Sequence, residues 1–384
     1  MKSHSLGHCL LALAALTALT VYVLACGTSF SPDDSKVLYS TINAKTGATG
    51  VAVYDRTTGK SELLFGPTHL EGDGLKTAPQ ILRPQWISNG HGVLVGWPGK
   101  DGLNLTVLPA GGPGPIRLYS LPDQDKNFSP LPVAGTCLFL IGQSNTLVRL
   151  DLASGAVRRT PGLPEMTLLP TPRGDQLLYL AESGEGDTAS TEVGLLNPET
   201  FGRTPLHHLK GAELKAEDGF CALSREGKRL ALCAKVDDKW VLRVVDNGQP
   251  FRTVPLALEA SAVKFGNAQF GPGGEVVYAS FLQTGDETNS LGILEIPING
   301  GPIRRTTLIG DLGKVSKESA LYLEPEVSHD GKTLAVASTY LAFDEHPSLK
   351  AEDCALFLVN LTDPQRRVTK VPIPLPPAGV TLDK

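Results

Sequence analysis

Apolar residues in this chain gather in short runs of about four to six, rich in Val, Leu, Ile and aromatic side chains and bounded by Asp, Asn, Gly or Pro, a pattern that predicts strands rather than helices. The first full copy is easy to follow. Phe30-Ser31-Pro32-Asp33-Asp34 leads into Lys36-Val37-Leu38-Tyr39-Ser40, and a polar stretch separates this run from Val51-Ala52-Val53-Tyr54-Asp55. Thr58-Gly59-Lys60 then turns the chain into Glu62-Leu63-Leu64-Phe65. This reads as strand, tight turn, strand, connection, strand, turn, strand.

The same phrase returns at Phe270-Gly271-Pro272-Gly273-Gly274 before Val276-Val277-Tyr278, and at Val327-Ser328-His329-Asp330-Gly331 before Thr333-Leu334-Ala335-Val336. Looser copies stand at Trp86-Ile87-Ser88-Asn89-Gly90, near Gly135, at Thr171-Pro172-Arg173-Gly174 and at Leu223-Ser224-Arg225-Glu226-Gly227. His329 occupies a turn position that is Pro in several other copies. Third strands close on Asp55, Asp151, Asn197, Asp246, Asn299 and Asn360, residues that hydrogen-bond their own following backbone and so mark turns.

Copies recur at intervals of roughly 40 to 57 residues, the spacing of propeller blades and too long for leucine-rich units. The expected fold is therefore all-β, a single β-propeller domain over 26–384 built from about seven four-stranded blades. The blades are placed at 27–66, 83–122, 131–164, 167–209, 219–256, 262–309 and 322–371, with a tail at 372–384. Ring closure is open at this point. The innermost strand of the first blade is either Gly27 to Ser31 or comes from elsewhere, and Gly379-Val380-Thr381-Leu382 in the tail is a candidate for it or a frayed end.

The Ser-Pro-Asp-Gly phrase followed by a short apolar strand resembles the repeat of the TolB-like, WD-repeat-like propellers, and the resemblance runs from Phe30 to about Val371. It implies fold more than function, because unrelated chemistries share the scaffold. The family's reference member has six blades and a separate N-terminal domain, so a role in the Tol system is not implied.

Ahead of the repeats, Lys2 precedes an almost wholly apolar run from Leu6 to Ala25, the layout of a secretory signal peptide over 1–25. Val23-Leu24-Ala25-Cys26 resembles the lipobox of bacterial lipoproteins, which implies cleavage before Cys26 and its acylation. Ordinary cleavage after Ala25, or an uncleaved anchor, is the alternative. The implied location is the bacterial cell envelope, facing outside the cytoplasm. Gly27 stands where enteric lipoproteins retained in the inner membrane carry Asp, which favours the outer membrane in a Gram-negative cell.

Composition narrows the function. With 40 acidic against 35 basic residues and a formal net charge of -5, no nucleic-acid partner is expected. Export makes a Cys221–Cys233 disulfide possible across the Arg225-Glu226-Gly227-Lys228 turn, although a one-residue offset would put the two on opposite faces. Long connections collect on one face of the expected ring and carry Glu182, Glu185, Asp187, Asp237, Asp238, Asp286, Glu287, Asp344, Glu345, Glu352 and Asp353. Loops on a rigid scaffold are where binding residues concentrate, so these form the candidate binding face. Gln85, Gln269 and Glu326 share one register on the innermost strands and are candidates to line the central channel.

No metal site, cofactor or catalytic constellation is expected. The chain shows neither a His-Glu-x-x-His helix nor a Gly-x-Ser-x-Gly elbow, and no loop has calcium-loop spacing. The leading expectation is a monomeric, non-enzymatic, membrane-tethered module that binds a protein or peptide. A propeller lactonase or lyase with a site at the channel mouth, and a purely structural envelope component, are the alternatives. Mass spectrometry of the membrane fraction should find Cys26 acylated at the mature N-terminus; an intact, unmodified Met1 end overturns that expectation.

Overall fold

The computed structural model describes residues 27–42, 49–66, 84–87, 90, 92–98, 102–109, 117–121, 131–133, 136–141, 146–162, 166–171, 174–184, 190–210, 219–236, 239–246, 252–259, 263–284, 289–312, 323–338 and 355–374. The apolar leader, Cys26, Cys354 and the tail strand candidate at 379–382 lie outside these residues.

Every described element is a strand. Blade 1 comprises β1 (Thr28–Phe30), β2 (Lys36–Ile42), β3 (Thr49–Asp55) and β4 (Lys60–Phe65). Blade 2 follows as β5 (Gln85–Trp86), β6 (Gly92–Pro98), β7 (Leu103–Pro109) and β8 (Arg117–Leu121). Blade 3 is β9 (Leu131–Val133), β10 (Thr136–Ile141), β11 (Thr146–Asp151) and β12 (Val157–Pro161). Blade 4 is β13 (Met166–Pro170), β14 (Leu177–Ser183), β15 (Ser190–Leu196) and β16 (Arg203–Lys210). Blade 5 is β17 (Phe220–Leu223), β18 (Arg229–Val236), β19 (Lys239–Asp246) and β20 (Arg252–Glu259). Blade 6 is β21 (Val263–Phe270), β22 (Val276–Gln283), β23 (Ser290–Pro297) and β24 (Arg304–Ile309). Blade 7 is β25 (Glu326–Val327), β26 (Thr333–Ala337), β27 (Ala355–Asn360) and β28 (Val368–Pro372). In all seven sheets the strands pair antiparallel in chain order, so each blade is a meander of four consecutive strands.

Side chains alternate across a strand, and here both faces of each sheet are apolar. Among the described residues the buried apolar side chains fall into seven clusters, one at each blade-to-blade contact. Blade 1 shows the alternation plainly. Leu38 packs with Trp86, Val93 and Trp97 of blade 2, while its neighbours Val37 and Tyr39 pack with Ala335, Ala337 and Leu356 of blade 7. Seven contacts for seven blades close the ring.

The repeated turn phrase has a hydrogen-bonding reason. Ser31, Ser224 and Ser328 each accept, at Oγ, the N–H of the residue five places on, at 2.9, 3.0 and 3.0 Å. The Asp two places after the first and last of these serines accepts its hydroxyl, at 2.6 Å for Asp33 and 2.7 Å for Asp330. The Ser31 hydroxyl, with the Ser35 N–H and hydroxyl, holds the Asp33 carboxyl down at about 2. Third-strand closures behave as their residue types demand. Asp55, Asp151, Asn197 and Asn360 each accept the backbone N–H groups two and three residues on.

The fourth position of the phrase needs a left-handed backbone. Gly90, Gly174, Gly227, Gly274 and Gly331 supply it in five blades, and Asp34 supplies it in blade 1 with φ of 58°. That departure from glycine is explained by what its side chain does. The Asp34 carboxylate accepts His329 N–H at 2.9 Å, lies 2.7 Å from His329 Nδ1, and accepts Asp330 N–H at 2.9 Å. Two departures from the repeat, Asp34 for Gly and His329 for Pro, thus meet at the junction of the first and last blades. Arg56 adds to the junction, donating to the Asp34 carbonyl at 2.7 Å and to Thr333 Oγ1 at 2.8 Å. Blade 1 supplies its own innermost strand, with Thr28, Ser29 and Phe30 opposite Tyr39, Leu38 and Val37.

Replacing Asp34 by Gly keeps the backbone relaxed but removes the carboxylate, and should destabilise the fold by about 1.5–3 kcal/mol, the range for losing hydrogen bonds to a charged group. Asp34→Ala should cost about 1 kcal/mol more, because Ala is strained at this φ. Urea unfolding checks both; equal stability of wild type and Asp34→Gly shows that the junction does not depend on this carboxylate.

Candidate functional site

The meander fixes two dissimilar ends of the ring. Connections between first and second strands and between third and fourth strands share one end, and they include 31–35, 56–59, 224–228, 271–275 and 328–332. Second-to-third connections and blade-to-blade crossings share the other end, and they include 43–48, 66–84, 211–219, 310–325 and 338–354. The second end is not uniformly long: β6 to β7 spans 99–102, and β18 to β19 spans only Asp237 and Asp238.

The short-turn end is interlocked by charged side chains. Arg229 of β18 donates to Asp246 at 2.6 Å, to the Gly274 carbonyl at 2.8 Å and to Glu275 at 2.6 Å, joining blade 5 to blade 6. Hydrogen bonding by Arg229 holds the Glu275 carboxyl below its ordinary range. Arg366, itself at a φ of 53°, grips Glu295 of β23 with Nε at 2.6 Å and Nη2 at 2.8 Å, joining blade 7 to blade 6. Arg225 of blade 5 reaches the His329 carbonyl of blade 7 at 3.4 Å.

Of the acidic binding-face candidates, Glu182 stands on β14, its backbone opposite Thr191. Glu185, Asp187, Asp237, Asp238, Asp286, Glu287, Asp344, Glu345, Glu352 and Asp353 lie outside the described residues.

Gln85, Gln269 and Glu326 stand on innermost strands β5, β21 and β25. Gln269 Oε1 accepts the Val327 N–H at 2.6 Å, so a side chain of blade 6 satisfies the open inner edge of blade 7. The same junction is stitched by Ser280 Oγ to the Leu323 carbonyl at 2.7 Å and by Asn267 Nδ2 to Glu324 Oε1 at 3.4 Å. Thr28 Oγ1 then bonds the Glu324 carbonyl at 3.1 Å, carrying the polar belt into blade 1. Gln85 is buried, and its Nε2 has no hydrogen-bond partner among the described residues.

The Cys221–Cys233 disulfide is corrected by the register. Cys221 faces Leu232 and Cys233 faces Phe220, an offset of one residue that sends the thiols to opposite sides of the sheet. Cys221 packs in the cluster shared with blade 4 and Cys233 in the cluster shared with blade 6, and both are free. Burial pushes the Cys221 thiol up to about 12, and raises Cys137 and Cys233 as well.

Two groups escape sequence reasoning. Tyr179 of β14 donates to Glu192 Oε1 of β15 at 2.6 Å, and His208 Nε2 of β16 lies 3.6 Å from the other carboxylate oxygen. Three strands bring them together, so no local motif announces them. The missing side chain at Gly194 is the only hint, because a Cβ there would stand 2.6 Å from the Tyr179 hydroxyl. The second is a groove of about 240 Å³ between blades 5 and 6, lined by Leu256, Leu258, Ile296, Pro302 and Ile303 among others, with Arg305 as its charged member. Among the described residues no three His, Cys, Asp or Glu side chains are grouped to hold a metal.

No protein-family model matches the chain, and no curated protein is similar to it in sequence. Solved structures do match. The β-propeller domain of the Trilobed protease from Pyrococcus furiosus, which has an open velcro topology, shares 10% identity at a TM-score of 0.54, over 91% of this chain and 95% of that one. Oligogalacturonate lyase from Vibrio parahaemolyticus shares 10% identity at a TM-score of 0.51, over 90% and 84%. TolB from Acinetobacter baumannii shares 14% identity at a TM-score of 0.44 over 71% of this chain, which spans 65% of that protein's length. Such identities speak for architecture alone. The chain is a seven-bladed β-propeller.

In native protein, Cys137, Cys221 and Cys233 should resist a disulfide exchange reagent at pH 8 and react once urea unfolds the chain, since only thiolate attacks. Rapid modification of Cys221 or Cys233 in the folded state contradicts this placement.

Proposed function

We propose that this protein is a membrane-tethered, extracytoplasmic binding module of a bacterial envelope that engages a protein or peptide through the end of the ring carrying the long connections. The observation that supports this reading is the inequality of the two ends. One is drawn together by short turns and by the Arg229, Arg366 and Arg56 bridges. The other carries connections such as 66–84, 310–325 and 338–354 on the ends of rigid sheets, the usual setting for recognition.

The reading is of a non-catalytic monomer that needs no cofactor and no nucleic acid. Carboxylates in those connections, Asp237, Asp238, Asp286 and Glu287 among them, give the face a negative potential suited to a basic segment of the partner. Such attraction is salt-sensitive, since exposed charges are screened over about 8 Å at physiological ionic strength.

Replacing Asp237, Asp238, Asp286 and Glu287 by Asn or Gln should change stability by no more than about 0.5 kcal/mol, the usual range for surface positions. It should weaken capture of the partner recovered by cross-linking from cells, and flatten the salt dependence of that capture. Replacing Lys228 and Lys332 on the short-turn end should leave capture intact. The opposite pattern assigns the working face to the other end.

A further inference from the structure

We infer that any membrane anchor upstream of Thr28 leaves the propeller through the long-connection end and holds that end toward the bilayer, so that the face meets partners carried on the same membrane. This rests on the reading that the chain is anchored at or before Cys26.

The direction follows from β1. Phe30 runs directly into the 31–35 turn at the short-turn end, so the chain before Thr28 heads the opposite way. Thr28 is fixed: it is 1% exposed, pairs with Tyr39, and donates through Oγ1 to the Glu324 carbonyl of blade 7 at 3.1 Å. Tyr39 stands three residues before Ile42, where β2 ends, a rise of about 10 Å. Cys26 is two residues from Thr28, and two residues reach at most about 7 Å. An acyl group on Cys26 therefore starts no higher than the long-connection end of β2. It has no slack to pass around a body whose eight-residue strand β21 alone spans about 26 Å. An uncleaved apolar run over residues 6–25 is joined to Thr28 by the same short length of chain, so the same reach limits it.

The other end of the described body agrees. β28 runs from the short-turn end, and just beyond it the Pro374 carbonyl accepts the Thr41 hydroxyl at 2.8 Å, so the C-terminal segment departs on this face too. Held in this way, the acidic face looks toward the membrane, and the partner whose chemistry fits is a membrane-borne protein with a basic extramembrane segment.

The test uses the chain from Cys26 onward, with Cys354→Ser, coupled to lipid through the 1,2-aminothiol of the N-terminal cysteine and inserted in phosphatidylcholine vesicles with nitroxide headgroups. A fluorophore is placed at Ser183→Cys, exposed at the long-connection end, or at Lys228→Cys, exposed in a short turn. Strong quenching at position 183 and none above the lipid-free control at position 228 is the expected result. A flexible linker of about 25 residues between Cys26 and Gly27, with a root-mean-square reach of roughly 27 Å, should abolish the difference. Equal quenching at the two positions without the linker, or stronger quenching at 228, overturns the inference. The anchoring reading fails on a separate measurement, recovery of the native chain in the soluble fraction with an unacylated N-terminus, which leaves the vesicle result standing.

Discussion

The contact between the first and last blades is carried, among the described residues, by side chains rather than by a shared strand, and the rest of the structure is arranged around it. All seven sheets are meanders of consecutive strands, so among the described residues no backbone ladder crosses from blade 7 to blade 1. What crosses is side-chain chemistry: Val37, Tyr39 and Ala52 against Ala335, Ala337 and Leu356, the Asp34 carboxylate on the His329–Asp330 turn, and Arg56 on Thr333. Buried apolar contact is non-directional, and by itself permits the blades to slide. Two successive backbone N–H groups, of His329 and Asp330, donate to one carboxylate and fix where the turns meet.

Much of this architecture was legible in the chain, for a local reason. The turn phrase is a self-contained hydrogen-bonding unit, in which Ser31 or Ser328 closes its own hairpin and Asp33 or Asp330 holds the serine. Such units announce themselves wherever they occur, and their recurrence reveals the blade period. The junction was half legible. His329 stood out as a departure from Pro, but its partner Asp34 is nearly three hundred residues away and looks like an ordinary member of a Ser-Pro-Asp-Asp turn. Only the fold brings the two substitutions together.

Side-chain direction across a hairpin was less accessible. Cys221 and Cys233 flank their turn at nearly equal distances, yet the hairpin pairs 221 with 232, and one residue of offset reverses the face in a two-residue period. The Tyr179, Glu192 and His208 group shows the same limit, since three strands and a glycine gap must be placed before the residues become neighbours. Gln269 was singled out as a channel residue, and its hydrogen bond to Val327 gives it a backbone partner in the adjacent blade, a pairing that strand register alone does not specify.

The consecutive meander also sets an order of assembly. Blade 1 can complete its own ladder as soon as residues 28–65 are free to fold, because its four strands are consecutive in the chain. Its outer neighbour arrives next and covers Leu38 and Val53. The opposite face, with Val37 and Tyr39, has no such successor. It stays bare until the final blade arrives, and the hydrogen bond that seals it, from Thr28 to Ala335, joins residues 307 positions apart. Until the last blade is in place, the protein therefore carries an apolar sheet face with nothing to rest on, the surface most open to wrong contacts with other chains.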